Sequence, residues 1–212
     1  MNGDHIIVVI PRHKGDRSGE RPTEKAVFSN PTAPLICPFL VLGIALLSRE
    51  IYNEFDSILL GTRGEENINL WLKSVSSSLQ SDAARGVVGL NGSRLTTHCT
   101  RKGSTSFVVS LPGLSNIIAV WLRAGWQLGG VLPAYITAES GGDQMVGRAV
   151  CGLPSNELDY SLLPARFKLD AVVNWPDLVA SCSLYPTAFR NVIPFLIATV
   201  LLHASWIKDN LH

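Results

Sequence analysis

The order of apolar and polar residues divides the chain into a β-rich start and a helical remainder. His5 to Ile10 (HIIVVI) is a short run rich in β-branched residues, and Lys25 to Asn30 (KAVFSN) is a second run. Short β-branched runs bounded by glycine and proline are typical of strands. The stretch from Arg12 to Glu24 between them is polar and contains both breakers. The pattern therefore predicts one antiparallel hairpin with a long tip.

From Pro38 onward the apolar residues no longer alternate, and helical patterns follow one another. Proline suits the first turn of a helix, where its missing N–H is not needed. The breaker from Leu111 to Gly113 separates two of the apolar segments. We expect helices over residues 38–55, 65–84, 97–110 and 114–126, a short helix around Tyr135, a loop after Arg148, and helical segments between Pro186 and Asp209.

The most apolar segment is Val192 to Leu202 (VIPFLIATVLL), which contains Pro194. A helix that crosses a bilayer needs roughly 20 apolar residues, and this run is shorter. We therefore expect a buried helix and no membrane partner. The start of the chain has an acidic residue before a very short apolar run, so we expect no secretory signal peptide there.

These elements predict a mainly α fold with a small antiparallel β-hairpin or sheet near the N-terminus. The four cysteines are widely spaced and form no Cys-x-x-Cys pair. This usage suits a reduced compartment and argues against a zinc ribbon. We expect buried free thiols.

The net charge of +1 excludes no partner, but the charges are unevenly distributed. No carboxylate occurs between Asp82 and Glu139, and this window contains Arg85, Arg94, Arg101, Lys102 and Arg123. A second basic cluster near the start, which includes acidic residues, consists of Arg12, Lys14, Arg17, Arg21 and Lys25. Such runs are usually solvated faces of a protein. The acid-free window also suits contact with a polyanion.

The acid-free window contains a sparse set of residues suited to phosphate chemistry. His98 and Arg101 are three positions apart, which places them on one face of a helix. That spacing is common, and a solvated pair is its usual explanation. Trp126 follows an Ala-Gly turn about one helix later, and Tyr135 comes nine residues after Trp126.

In this order and spacing the chain resembles the catalytic domain of tyrosine recombinases (phage integrases). It resembles in particular the recombinases of Crypton-type and related eukaryotic mobile elements. The stretches that carry the resemblance are THCTRKGSTS, LRAGWQLGGV and GGDQMVGRAVCGLP, the last at Gly141 to Pro154. Further similarity lies in KGDRSGE upstream, and in LLPARF and FLIATVLLHASWIKDNL downstream.

The resemblance implies that the protein breaks and rejoins DNA through a 3′-phosphotyrosyl intermediate formed by Tyr135. Arg101 would bind the phosphate, since a guanidinium is always charged and can grip two oxygens. His98 would bind the phosphate or accept the tyrosine proton. Trp126 would donate to phosphate, or only pack in the core. Lys14 would be the general acid for the leaving 5′ oxygen, or an ordinary surface lysine.

The remaining implications concern partners and location. Lys102, Arg123 and Arg94 are the expected DNA contacts. The resemblance requires no metal and no small-molecule cofactor. DNA is the expected partner, with self-association of the protein on DNA, and the expected location is intracellular, in the nucleus.

One departure from the family pattern limits these expectations. The family carries another arginine on a helix before the first strand, and this chain shows none ahead of His5. We therefore expect a truncated or decayed copy, with the catalytic domain at residues 1–154 and a C-terminal loop and helical extension at 155–212 packed on it. A non-catalytic DNA-binding remnant is the alternative function. A helical interaction protein without a DNA role is the third.

Overall fold

The computed structural model describes residues 4–10, 18–20, 23–48, 63–79, 95–113, 117–126, 141–153, 158–168, 177, 183 and 185–211. Within these ranges the chain is mainly helical, with a two-stranded antiparallel sheet near its start, as the sequence predicts. Its helices in chain order are α1 (Pro38–Leu47), α2 (Gly64–Leu79), α3 (Thr97–Ser110), α4 (Ile117–Ala124), α5 (Gly141–Val150), α6 (Thr187–Arg190), α7 (Ile193–Leu202) and α8 (Ala204–Asn210). Short 3-10 turns cover Pro34–Ile36 and Leu158–Ser161.

The hairpin consists of β1 (His5–Ile10) and β2 (Thr23–Phe28), paired from His5 opposite Phe28 to Ile10 opposite Thr23. Strand β2 begins and ends two residues earlier than the sequence predicts. Asn30 explains its end, since the side-chain Oδ1 accepts backbone N–H bonds from Thr32 at 3.1 Å and Ala33 at 3.0 Å. Such a local turn competes with strand pairing.

Helices α1 and α7 form the first core together with Ile6 of β1. Both helices carry proline in their first turn, and both contribute fully buried leucines, among them Leu40 and Leu196. Gly43 permits the close approach of the two helices, because a Cβ there would lie 2.9 Å from Val200 Cγ2. The expectation of a buried helix for the apolar C-terminal run is confirmed. Among the described helices, none is long and apolar enough to cross a membrane.

A second core joins α3, α4 and α5. Its buried members are Val108, Ala119, Val120, Val146 and Ala149. The sequence predicted α3 and α4 but no element at α5, where glycines at positions 141, 142 and 147 lower the intrinsic helix propensity. Packing of one apolar face against α3 and α4 overrides that propensity.

A third cluster of buried residues attaches the hairpin to the end of α5. Ala26 and Phe28 of β2 pack against Cys151 and Leu153, which directly follow α5. Gly147 allows α5 to lie close to the strand, since a Cβ there would be 2.9 Å from Phe28 Cε2. The hairpin is thereby held against the helices that carry the basic window.

The remaining expectations have mixed outcomes. Cys37 and Cys151 are buried free thiols, but Cys99 is exposed, contrary to expectation, because it lies in the solvent-facing first turn of α3. The helix expected over 38–55 is shorter than predicted, since the apolar run ends at Leu47 and the polar Ser48 caps the helix there. The short helix around Tyr135 and Cys182 lie outside the described residues. The domain division after residue 154 stays a prediction.

Candidate functional site

Helix α3 presents the basic residues of the central motif to solvent. His98, Arg101 and Lys102 are all exposed, and Val108, near the other end of the helix, is its buried anchor. Thr96 caps the start of the helix, and its backbone N–H donates to Cys99 Sγ at 3.4 Å. Its first two turns therefore project from the second core and carry His98 and Arg101 on one face.

Cys99 lies between the two motif residues, and its thiol is electronically perturbed. The Thr96 side chain and backbone hydrogen-bond the sulfur, and Lys102 adds a positive charge nearby. Together they lower the pKa of the Cys99 thiol from its usual value. Cys99 therefore loses its proton more readily than an ordinary thiol does.

The Ala-Gly-Trp turn proves to be the C-terminal cap of α4. Gly125 has a φ of 70°, its N–H donates to Leu122 O at 3.0 Å, and the Trp126 N–H donates to Trp121 O at 3.0 Å. This pair of bonds is a Schellman motif, which requires a residue that tolerates positive φ. The glycine of the sequence motif therefore fixes where Trp126 leaves the helix.

Arg101 and Trp126 meet at this cap. The Arg101 Nη2 donates to the Ala124 carbonyl, and the guanidinium carbon lies 5.9 Å from the centre of the Trp126 ring. Trp121 approaches the same ring edge-on, with centroids 6.5 Å apart. The structure thus brings together two of the predicted catalytic residues, one from α3 and one from the cap that follows α4.

Arg123 lies behind this cap and links three elements. Its Nη2 donates to Ala26 O of β2, and its Nη1 is 3.6 Å from the Asp143 carboxylate of α5. Only 15% of the Arg123 side chain is exposed, and Asp143 is fully buried. The geometry makes Arg123 a bridge between α4, β2 and α5, and its role as a DNA contact stays a prediction.

Lys25 is a member of the site that the sequence did not identify as such. Its Nζ donates to Leu122 O at 2.8 Å, at the same end of α4. Burial lowers the pKa of Lys25 from its usual value, the Asp143 carboxylate opposes that shift, and the Arg123 guanidinium adds to it. No local signal could reveal this contact, because 97 residues separate Lys25 from Leu122.

The C-terminal end of α4 binds basic side chains. Lys25 and Arg101 both bind carbonyl oxygens of its last turn, at Leu122 and Ala124. These oxygens carry the negative end of the helix dipole, which favours positive side chains. The local charge balance is therefore basic even though the whole chain is nearly neutral.

A cavity of about 230 Å³ opens between α3, α4 and α5 beside this cluster. Its walls combine two guanidinium groups and two hydroxyl groups with small apolar side chains: Arg101, Ser104, Thr105, Val108, Val120, Arg123, Ala124, Val146 and Val150. Arg101 borders both the cavity and the tryptophan pair. The arrangement can hold an anion at the rim, with an apolar surface below it.

The predicted residues Tyr135, Lys14 and Arg94 lie outside the described residues. Within the part of the chain that the structure describes, no group of three histidines, cysteines or carboxylates could hold a metal ion. No family model, no curated protein and no solved structure matches this chain.

Proposed function

We propose that this chain carries the catalytic domain of a tyrosine recombinase-like protein of Crypton-type mobile-element origin, which breaks and rejoins DNA. One observation carries the proposal beyond the sequence motifs. Arg101, from the His-x-x-Arg stretch, meets Trp126, from the Ala-Gly-Trp stretch, at a basic, partly open site. Two motifs separated along the chain are adjacent in space, which is what a shared phosphate-binding role requires.

The chemistry of DNA cleavage explains the value of such a site. When a tyrosine oxygen attacks a phosphodiester, additional negative charge develops on the non-bridging oxygens of the phosphate. Preorganised cations stabilise that charge most effectively. Arg101 is exposed and already oriented by Ala124 O, so its remaining N–H groups can reach a phosphate. His98 on the same helical face supplies a second hydrogen-bonding group.

The nucleophile and the general acid in this proposal come from the sequence motifs. A phenol with a pKa of about 10 attacks poorly unless a neighbouring group takes its proton. Tyr135 is assigned as the nucleophile and His98 as its proton acceptor. Lys14 is assigned as the acid that protonates the leaving 5′ oxygen.

The partner in this proposal is DNA, and the place of action is the nucleus. Helix α3 exposes Arg101 and Lys102, and neither α3 nor α4 contains a carboxylate. Such a surface attracts the phosphate backbone through a salt-dependent interaction. Self-association on DNA belongs to the same proposal, because breaking and rejoining two strands requires more than one active site.

A non-catalytic DNA-binding role is the second candidate. It is favoured by the internal bonds of the cations, since Lys25, Arg101 and Arg123 all bind main-chain oxygens of this fold. These contacts stabilise a basic surface whether or not a reaction takes place there. Binding without chemistry would then be its function.

A nicked suicide substrate distinguishes the two candidates. Cleavage near the nick releases a short oligonucleotide and traps the covalent adduct, so even a slow reaction accumulates product. We expect a protease-sensitive protein–DNA adduct with the unaltered chain and none with Tyr135→Phe. Tyr160→Phe is the control, because the Tyr160 ring lies 5.1 Å from the Arg148 guanidinium and phenylalanine preserves that packing.

Three outcomes are informative. An adduct lost only in Tyr135→Phe supports the recombinase. Salt-dependent DNA binding without any adduct over long incubation contradicts catalysis and supports the binding protein. Absence of DNA binding at low salt contradicts both candidates.

A further inference from the structure

Two large aromatic side chains beside Arg101 are open to solvent. Trp121 is 37% exposed and Trp126 is 40% exposed. Their rings meet at an interplanar angle of 64°, so the pair forms an angled surface and not a closed stack. The Arg101 guanidinium lies over the Trp126 ring, and phosphate binding by Arg101 does not explain the exposed area of Trp121.

The backbone fixes the positions of both tryptophans. The Trp126 N–H donates to the Trp121 carbonyl within the cap of α4, and Gly125 supplies the positive φ that the cap requires. The two side chains therefore start from rigidly related backbone positions. A preordered aromatic surface loses little conformational entropy when a flat ligand binds.

The charges around the pair are complementary to a phosphate. The Arg101 guanidinium lies 5.9 Å from the Trp126 ring centre, Lys102 is exposed one residue further along α3, and neither α3 nor α4 contains an acidic residue. An aromatic face next to a cation is the combination that single-stranded nucleic acids bind, through base stacking and phosphate contact.

We propose that Trp121 and Trp126 form a stacking platform for an unpaired nucleobase of the DNA substrate, with the adjacent phosphate bound by Arg101. This inference rests on the proposed DNA function and specifies its substrate class. A base within a duplex has both faces covered by its neighbours, whereas an unpaired base has a free face to stack. The preferred substrate is therefore DNA with an unpaired base, or a single strand, at this site.

The test compares three DNAs of matched length: a full duplex, a duplex with one unpaired thymine, and the same bulged duplex with an abasic residue in place of the thymine. Stacking of one base increases affinity by about tenfold or more. We expect the unaltered chain to bind the thymine bulge about tenfold more tightly than the abasic bulge. This comparison needs no variant, so a folding defect cannot obscure it.

Variants then locate the platform. Trp121→Ala should abolish the preference for the thymine bulge over the abasic bulge, and Trp121→Phe should retain most of it. Trp71→Ala is the matched control, since Trp71 is 63% exposed but lies on α2. It should leave all three affinities unchanged.

Equal affinity for the thymine and abasic bulges would overturn the platform while leaving DNA binding intact. So would a preference that persists in Trp121→Ala. Tighter binding of a poly-glutamate peptide than of the bulged duplex would show that the surface serves an acidic protein segment, and would also overturn it. If none of the three DNAs binds at low salt, the proposed function fails together with this inference.

Discussion

At the residue scale, the two arginines of the basic site differ in what they can still bind. Arg101 is exposed, and one of its nitrogens is bound to Ala124 O. Arg123 is largely buried between Ala26 O and Asp143. A ligand can therefore reach Arg101 without rearrangement of the core, whereas withdrawing Arg123 would leave a buried carboxylate without its ion pair.

Substitution of Arg101 should affect the proposed reaction more than the fold. We expect Arg101→Ala to slow adduct formation by about a hundredfold or more, the usual effect of removing one preorganised charge. Arg101→Lys should be nearly as slow, because an ammonium group cannot grip two phosphate oxygens. The measurement is the rate of adduct formation on the suicide substrate at saturating DNA.

Arg63→Ala is the control for this experiment. Arg63 is an exposed arginine that directly precedes α2. It forms an ion pair at 2.6 Å with Glu66, which lies in the first turn of α2. Its loss removes the same charge at a surface without motif residues, so the rate should not change. If both variants slow adduct formation equally, the rate depends on the net charge of the protein and not on the position of Arg101.

The cysteines provide a test of the electrostatics of α3 that does not depend on DNA. Since Thr96 and Lys102 lower the pKa of Cys99, its alkylation by iodoacetamide should reach a plateau at lower pH than that of a free thiol. Burial raises the pKa of Cys151, which should react slowly throughout. Rates measured by mass spectrometry from pH 6 to 10, in steps of about one unit, distinguish these thiols.

Thr96→Val serves as the matched variant for the thiol. Valine has the shape of threonine but cannot hydrogen-bond the sulfur. The pH dependence of Cys99 alkylation should therefore shift to higher pH. An unchanged profile would mean that the hydrogen bond is not the main cause of the lowered pKa.

At the element scale, glycines determine where two helices end. Gly152 follows α5 with a φ of 78°, and the Leu153 N–H donates to Arg148 O at 2.9 Å, as in the cap of α4. A Cβ at this position would lie 2.3 Å from Ile36 Cδ1. Both the backbone conformation and the available space therefore require glycine.

We expect Gly152→Ala to lower the free energy of unfolding by about 1–3 kcal/mol or more, from strain at positive φ and from overpacking. Gly103→Ala should instead raise it by about 0.5–1 kcal/mol. Gly103 lies within α3, and a Cβ there would meet nothing within 4 Å. Urea denaturation of both variants measures the difference, and equal effects would contradict this account of the cap.

The elements also show which parts of the fold can be predicted from the sequence. Helix α3 has the predicted bounds because Thr96 and the turn at Leu111 mark its ends locally. Helix α5 was missed because its glycines serve close packing, which only the tertiary structure reveals. The end of β2 depended on hydrogen bonds of Asn30 that include a distant partner, Cys151 O at 2.9 Å.

In the candidate site, too, some residues can be identified from the sequence and others only from tertiary contacts. The motif spacing identified Arg101 and Trp126, and the structure places them together. Lys25 and Asp143 were not identified, because their roles arise from contacts between β2, α4 and α5 that leave no periodic signal. The sequence thus identified residues of the motifs and of the acid-free window, whereas contacts between distant elements can be identified only in the folded structure.

At the scale of the whole molecule, the hairpin connects the cores. Ile6 of β1 belongs to the core of α1 and α7, and Phe28 of β2 belongs to the cluster at the end of α5. Two paired strands cannot easily separate while both remain folded. The C-terminal helices are thus coupled to the basic site through the sheet.

This coupling predicts a single unfolding transition. Variants that keep only Trp206, packed on the first core, or only Trp121, near the second core, should report the same urea midpoint. Leu196→Ala should shift both midpoints, with a loss of about 2–5 kcal/mol from the cavity it creates. Two separate midpoints would show that the C-terminal helices fold independently.

The main-chain acceptors of the three basic side chains affect how the site tolerates mutation. Lys25, Arg101 and Arg123 bind the carbonyl oxygens of Leu122, Ala124 and Ala26, and every amino acid supplies such an oxygen. Substitutions at positions 26, 122 and 124 therefore leave the acceptors in place as long as the backbone keeps its course. The cationic arrangement can persist through sequence drift at these positions, and it can be lost only by changing the basic residues themselves or the backbone that presents the oxygens.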